Sequence, residues 1–204
     1  MQSNADKRYE IFKHFDKMDN PVVSITTEIS FKKAFDASNA EILAAILKAA
    51  NEIENFRYRL LPGFCWSNPI VEHKKVDLGF TVHTKNEINT FKFATASYCT
   101  DWFDITVKNI NQALKEAFKR DTFYCKGGNR KDLIYVSLIP GAKFTAVQQP
   151  FNRDTCDVPA IIAGSIVRGK LPISISAHHG LIDGYHIGLF CKKVKNILET
   201  WVDK

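Results

Sequence analysis

Apolar residues recur along this chain in two rhythms, and the switches between them mark out its elements. Residues 8–16, RYEIFKHFD, bring Ile11, Phe12 and Phe15 onto one helical face. Residues 36–56, DASNAEILAAILKAANEIENF, carry the clearest helical stripe, Ile42, Ala45, Ile46, Ala49 and Ile53. Ser38 with Glu41 three residues on forms a capping box at its start. In residues 101–120, DWFDITVKNINQALKEAFKR, the residues Ile110, Ala113, Leu114, Ala117 and Phe118 share a face. A last helix is predicted over 185–201, with Ile187, Phe190, Val194, Ile197 and Leu198 as its apolar side. Between these segments the rhythm changes to that of strands. Residues 20–30, NPVVSITTEIS, read as a strand with Pro21 at its entry, and short strands are expected near 58–61, 70–72, 77–83 and 91–96. LIYVSLIP, residues 133–140, is nearly all apolar, which predicts a strand buried on both faces. PAIIAGSIVRGKLPISISAHH, residues 159–179, reads as two strands joined by a turn near Arg168, Gly169 and Lys170. Helices and strands are interspersed, so an α/β layered domain is expected.

Composition narrows this to one unit. At 204 residues and 45% hydrophobic the chain can bury a sizeable core. It shows no linker-like stretch and no repeat period, so residues 1–204 are expected to form a single domain. The net charge of +6 would suit a polyanion, but the basic residues are dispersed in short runs such as Lys74-Lys75 and Lys192-Lys193. No nucleic-acid partner is therefore expected. A solvated basic surface accounts for the charge, as does attraction of a phosphate-bearing small cofactor. The five cysteines form no CxxC pair, which argues against a zinc ribbon, and no metal is expected. No signal peptide and no apolar run of about 20 residues is present, so no membrane association is expected. A cytoplasmic protein with reduced thiols is the expectation.

The chemistry concentrates in SAHHGLIDGYH, residues 176–186. Here a strand with alternating Ser174 and Ser176 ends and the last helix begins, and sites in open α/β sheets gather at strand ends. Adjacent strand residues point to opposite faces, so His178 and His179 should diverge. Asp183 stands where a carboxylate caps a first turn, and Gly180 and Gly184 allow a tight path around it. Three readings fit these residues. They can be structural. They can supply metal ligands, although two divergent histidines do not readily share one ion. Or one histidine can act as a general base toward a hydroxyl or thiol.

HHGLIDG also matches the His-His-x-x-x-Asp-Gly pattern of the chloramphenicol acetyltransferase superfamily. RYEIFKHF near the start resembles that family's opening Arg followed by spaced aromatics, here Arg8, Phe12 and Phe15. YVSLIPGAKFT resembles its Ser-x-x-Pro strand, here Ser137 and Pro140, and PAIIAGSIV resembles the strand before the histidines. The resemblance spans nearly the whole chain. It implies a two-layer α+β sandwich, a mixed β-sheet covered by helices on one face, assembled as a homotrimer with sites between subunits. It implies acetyl-CoA as acyl donor and a small-molecule hydroxyl acceptor. His179 would be the general base and Ser137 the hydrogen-bond donor to the oxyanion. Asp183 would pair with Arg8 to hold the base loop rigid, Gly184 would give the tight turn, and His178 would face away into packing or a subunit interface. A non-catalytic, small-ligand-binding member of the same fold is the competing reading.

The sequence departs from the family pattern at the acceptor side. Where the family has a threonine three residues after a proline, counting from Pro159 gives Ile162. TAVQQPFNRDT places Gln148, Gln149 and Pro150 where apolar residues are usual, implying a polar acceptor pocket. Phe144, Gln149, Phe151 and Ile162 are the expected acceptor-binding residues. The family's pocket cysteine falls close to Pro21, where no Cys stands.

Overall fold

The computed structural model describes residues 4–33, 35–61, 69–84, 90–126, 128, 130–150 and 152–202. The chain begins with helix α1 (Asn4–Phe15) and strand β1 (Val22–Ser30), followed by helix α2 (Asn39–Asn51). Ser38 and Glu41 cap α2 reciprocally, as the capping-box spacing requires, and nine of its residues are buried. A small antiparallel pair, β2 (Tyr58–Leu60) with β3 (Ile70–Glu72), leads into β4 (Asp77–His83) and β5 (Phe91–Ala96). Helix α3 (Phe103–Lys119), β6 (Leu133–Leu138), β7 (Ala160–Ala163), β8 (Lys170–His178) and helix α4 (Gly184–Val202) complete the order.

Six of these strands form one mixed sheet in the order β1-β8-β7-β6-β4-β5. β6 runs parallel to both β4 and β7, and the other neighbours are antiparallel. Period-two alternation sorts the residues onto two faces. One row across the sheet reads Ile25, Ile175, Ile161, Val136, Phe80, Ala94, all part of or packed against the core that α2, α3 and α4 cover. The row beside it reads Ser24, Ser176, Ala160, Tyr135, Gly79, Thr95. Neither serine nor Tyr135 nor Thr95 joins that core. The helices thus lie on one face, and the opposite face carries hydroxyls.

This corrects the reading of β6 as buried on both sides. Ile134 and Val136 are fully covered, but Tyr135 and Ser137 point to the other face and are half-buried. Leu133 is buried because the chain before it is clamped down. The guanidinium of Arg59, itself buried, donates to the carbonyls of Phe56, Tyr58, Lys131 and Leu133. A glycine is needed at position 79, where a Cβ would come within 2.6 Å of the Phe93 ring. Without that ring lying across the sheet, Tyr135 would lose its edge-on neighbour at 5.7 Å.

Candidate functional site

The residues from His178 to His186 form a loop whose backbone and Asp183 carboxylate are held by a dense set of hydrogen bonds. β8 ends at His178 because its last partner, Val22, is where β1 begins. The amides of Leu181 and Ile182 then fold back to the His178 carbonyl, and the His179 amide donates to Pro21. Arg8, from α1, closes the loop with three separate bonds. Nε donates to the Gly180 carbonyl at 2.9 Å, Nη2 to the His179 carbonyl at 3.0 Å, and Nη1 to Asp183 Oδ2 at 2.8 Å. Asp183 Oδ1 accepts from the Tyr185 amide at 3.1 Å, so the carboxylate caps α4 while it pairs with Arg8. Burial pushes the Asp183 carboxyl up, but the Arg8 hydrogen bond and the charges of His186 and Arg8 outweigh it and hold it below its ordinary value. His186 Nδ1 lies 2.9 Å from Oδ1 and 3.3 Å from the Asp183 amide, and the shorter contact calls for a proton on Nδ1.

Gly180, not Gly184, is the glycine this path requires. A Cβ at 180 would sit 2.9 Å from both the Phe12 backbone and the His178 ring. A Cβ at 184 would meet only Ile25 at 3.8 Å, an ordinary contact, and its backbone is not in the left-handed region. The tight turn expected at Gly184 is therefore a close approach of α1 at Gly180.

Both histidines pack on aromatic rings of α1 instead of separating to unrelated surroundings. His178 is buried 5.6 Å from Phe12, and its Nδ1 accepts from the Gly180 amide at 3.0 Å. That places the imidazole proton on Nε2, 3.9 Å from Asp16 Oδ1. Burial lowers the His178 pKa, so the ring stays neutral near pH 7. His179 has left the pleat of β8, and its ring stacks face to face on Phe15 at 4.0 Å and 12°. Its Nδ1 is buried without a hydrogen-bond partner. Among the described residues Nε2 has no partner, and it is not enclosed, so it is the nitrogen open to the surroundings.

Ser137 lies on the open face of the sheet, in a row with Ile162, Ser174 and Thr26. Its oxygen accepts from Thr81 at 3.2 Å, which leaves the Ser137 proton available to another acceptor. Ile162, 6% exposed, fills the place between Ser174 and Ser137 with hydrocarbon. His178 is four residues further along β8 than Ser174, about 13 Å at strand rise, and β6 is two strands away, about 10 Å. The loop of His179 and the backbone of Ser137 are thus separated by about 16 Å within one chain.

Two clefts open on this side. The first, of about 160 Å³, is lined by Ser24, Ser176, Tyr135, Gln149, Asn152 and Cys156 with small apolar neighbours. The second, of about 740 Å³, lies at the far end of β8 and is lined by Phe144, Lys143, Arg168, Lys170, Glu28 and Ser165. Gln149 and Phe144 therefore do not share a cavity. After β6 the chain turns at Gly141, which has a φ of 78°, and runs along β8. Ser174 pins its middle by donating to the Val147 carbonyl, so Phe144 falls near Pro172 and Gln149 near Ser176. Phe151 lies outside the described residues. Neither Ser24, Tyr135 nor Thr81 stood out in the sequence. The period-two alternation of β1, β4 and β6 could have put all three on the face of Ser137.

Comparisons with known proteins give the same picture at three levels. The family described as Chloramphenicol acetyltransferase matches residues 2–195. A chloramphenicol acetyltransferase of Staphylococcus aureus is 25% identical over 207 residues, covering 96% of this chain and 94% of its own length. Chloramphenicol acetyltransferase 3 of Escherichia coli is 23% identical over 194 residues, covering 87% and 85%. Among solved structures, a chloramphenicol acetyltransferase superposes with a TM-score of 0.81 at 27% identity, covering 97% of this chain and 96% of that one. A dihydrolipoamide acetyltransferase of Azotobacter vinelandii shares the fold with a TM-score of 0.66 at 14% identity, covering 93% and 85%.

Proposed function

The chain belongs to the chloramphenicol acetyltransferase family, and on that premise we propose that it moves the acetyl group of acetyl-CoA to a hydroxyl of chloramphenicol or a similar small molecule. The observation that carries this reading is the Arg8 clamp. It ties down the carbonyls of His179 and Gly180 and the Asp183 carboxylate, and leaves His179 Nε2 on the open side of the ring. His179 Nε2 takes the acceptor's hydroxyl proton, and the oxygen attacks the thioester carbonyl directly. The oxyanion of the tetrahedral intermediate receives the Ser137 hydroxyl proton as a hydrogen bond, and Thr81 orients that hydroxyl from behind. When the carbon–sulfur bond breaks, the thiolate takes the proton back from Nε2. One ester and one thiol form, and the imidazole returns neutral. Arg8 and Asp183 touch no reacting atom and act by positioning.

His179 and Ser137 cannot meet one carbonyl across about 16 Å, so a site that uses both needs two copies of the chain. A homotrimer supplies this, with the base of one subunit over the open face of its neighbour. The small cleft, below the roughly 300 Å³ of a complete ligand pocket, then gains its missing wall. The wider cleft adjoins the Ser137 end of the sheet and is lined by Lys143, Arg168 and Lys170, the last paired with Glu28, a net basic lining that suits the phosphates of coenzyme A. Ile162 favours the alternative, a small-ligand-binding member without catalysis, because the family's hydroxyl is missing beside Ser137.

The test is thiol release from acetyl-CoA in the presence of chloramphenicol and other hydroxyl compounds. Acceptor-dependent release that falls by about 10²- to 10⁴-fold in His179→Ala supports the reading. Equal rates in the wild type and His179→Ala, or no release with any acceptor, would remove His179 as base or remove the activity.

A further inference from the structure

The small cleft on the open face of the sheet is uncharged and under-satisfied, and these two properties together define a ligand. Resting on the acyl-transfer reading above, we propose that the acceptor is a compact, neutral polyol without an aryl group, held through hydroxyls other than the one that reacts.

Charge comes first. Ser24, Ser176, Tyr135, Gln149, Asn152 and Cys156 bring no formal charge to the cleft, although the chain as a whole carries +6. Burial pushes the Cys156 thiol up to about 11, so it is neither an anion nor a nucleophile at neutral pH. A carboxylate or ammonium entering here would lose hydration with nothing to replace it.

The hydrogen-bonding groups come next. Two hydroxyl pairs bridge β1 and β8, and they differ in what is left over. Thr26 Oγ1 donates to Ser174 Oγ at 2.9 Å, and Ser174 passes its proton to the Val147 carbonyl at 3.0 Å, so that relay is closed. Ser24 and Ser176 lie 2.8 Å apart with no further partner, so whichever donates to the other, one proton stays unspent. Gln149 Nε2 is buried without a partner among the described residues, an unfavourable state for an amide donor. The Tyr135 hydroxyl has no partner among the described residues, and burial raises its pKa, so it remains a donor. The residues that carry these three unspent donors line a space of about 160 Å³. Oxygens spaced along a short aliphatic skeleton answer all three. Its remaining walls within this chain are small, among them Val22, Val158 and Ala160, so any aryl group would have to lie against the neighbouring subunit and not beside Tyr135. The transfer itself is as above: the bond from acetyl carbon to polyol oxygen forms, the carbon–sulfur bond breaks, and the hydroxyl proton ends on the thiol.

The experiment compares acceptors in the thiol-release assay. Glycerol, erythritol and methyl glycosides are set against glycerate, an aminopolyol and chloramphenicol as carboxylate, ammonium and aryl comparators. The proposal expects kcat/KM at least about tenfold higher for a neutral polyol than for any comparator. It expects Ser176→Ala and Gln149→Leu each to raise the polyol KM about 3- to 10-fold with kcat nearly kept. Ser24→Ala is the second variant should Ser176→Ala melt early. Preference for chloramphenicol or a charged acceptor, with thiol release intact, overturns the polyol while leaving acyl transfer standing. Absence of release with every acceptor is instead the failure of acyl transfer. Calorimetry of the same polyols on the wild type and Ser176→Ala then decides: binding weakened by the substitution upholds the ligand class, and no binding ends it.

Discussion

The loop around His179 and the open face around Ser137 meet opposite structural demands. In the loop, one arginine satisfies two carbonyls and a carboxylate, the carboxylate also caps a helix, and an imidazole is stacked flat on Phe15. Little there can move without exposing an unpaired group. On the face, hydroxyls stand in a register-paired row, an amide nitrogen is buried unpaired, and a phenol has no partner. The first arrangement fits a group that must hold one orientation through a proton transfer. The second fits a surface that awaits bonds from a ligand or a neighbouring subunit. On the proposed mechanism the tied-down loop holds the base, and the hydrogen-bonding groups of the face are left to choose the substrate.

The contrast can be broken from either side. Ser137→Ala should lower kcat by about 10²- to 10³-fold without changing the melting temperature, since it removes an oxyanion donor from an unsaturated face. An equal loss of stability would mean that the face is structural after all. Arg8→Gln should do the reverse, destabilising the fold by about 2–3 kcal/mol in denaturant unfolding, because two carbonyls and Asp183 lose their partner. The partial exposure of Asp183 keeps the figure at the low end for such pairs. Thr81→Val should be milder, about a 3- to 10-fold loss in kcat with KM unchanged, as Ser137 loses the hydrogen bond that orients it.

The pH dependence should be smaller again and should come from the loop together with His73, Glu41 and Glu52, whose pKa values are depressed as well. Burial depresses the pKa of His178 and of His186 below the ordinary 6.5, so both bind protons more readily unfolded than folded. Their contribution is complete above that value and declines as pH falls toward the folded pKa. Asp183, held below its ordinary 3.8, adds stability above that value that is lost only at more acid pH. The melting temperature should therefore begin to fall below about pH 6.5 and drop again below about pH 4. Asp183→Asn should shrink the second step, to which Glu41 and Glu52 also contribute, and a profile flat from pH 7 to 3 would contradict the account.

What could be read from the residues follows the same division. His178, His179, Asp183 and Gly180 lie within six positions, so a linear pattern exposes them, and Arg8 was reachable only through resemblance. Helices α2, α3 and α4 were legible because their stripes face one core. The face of the sheet is assembled by register from strands far apart in the chain, and no local pattern pairs Ser24 with Ser176 or Thr81 with Ser137. LIYVSLIP read as buried on both sides because composition cannot reveal that helices cover only one of them. Phe144 and Gln149 read as neighbours because they are close in sequence, whereas the chain between them runs extended along β8 and sets them in different clefts.

The central claim is that base and oxyanion donor come from different copies of the chain. It is tested most directly by mixing two inactive variants, His179→Ala and Ser137→Ala, unfolding them together and refolding. Random assembly into trimers should restore about a quarter of the wild-type acetyl transfer, from interfaces that pair an intact His179 with a neighbour's intact Ser137. A mixture no more active than its two components would place both residues in one chain's site and contradict the account.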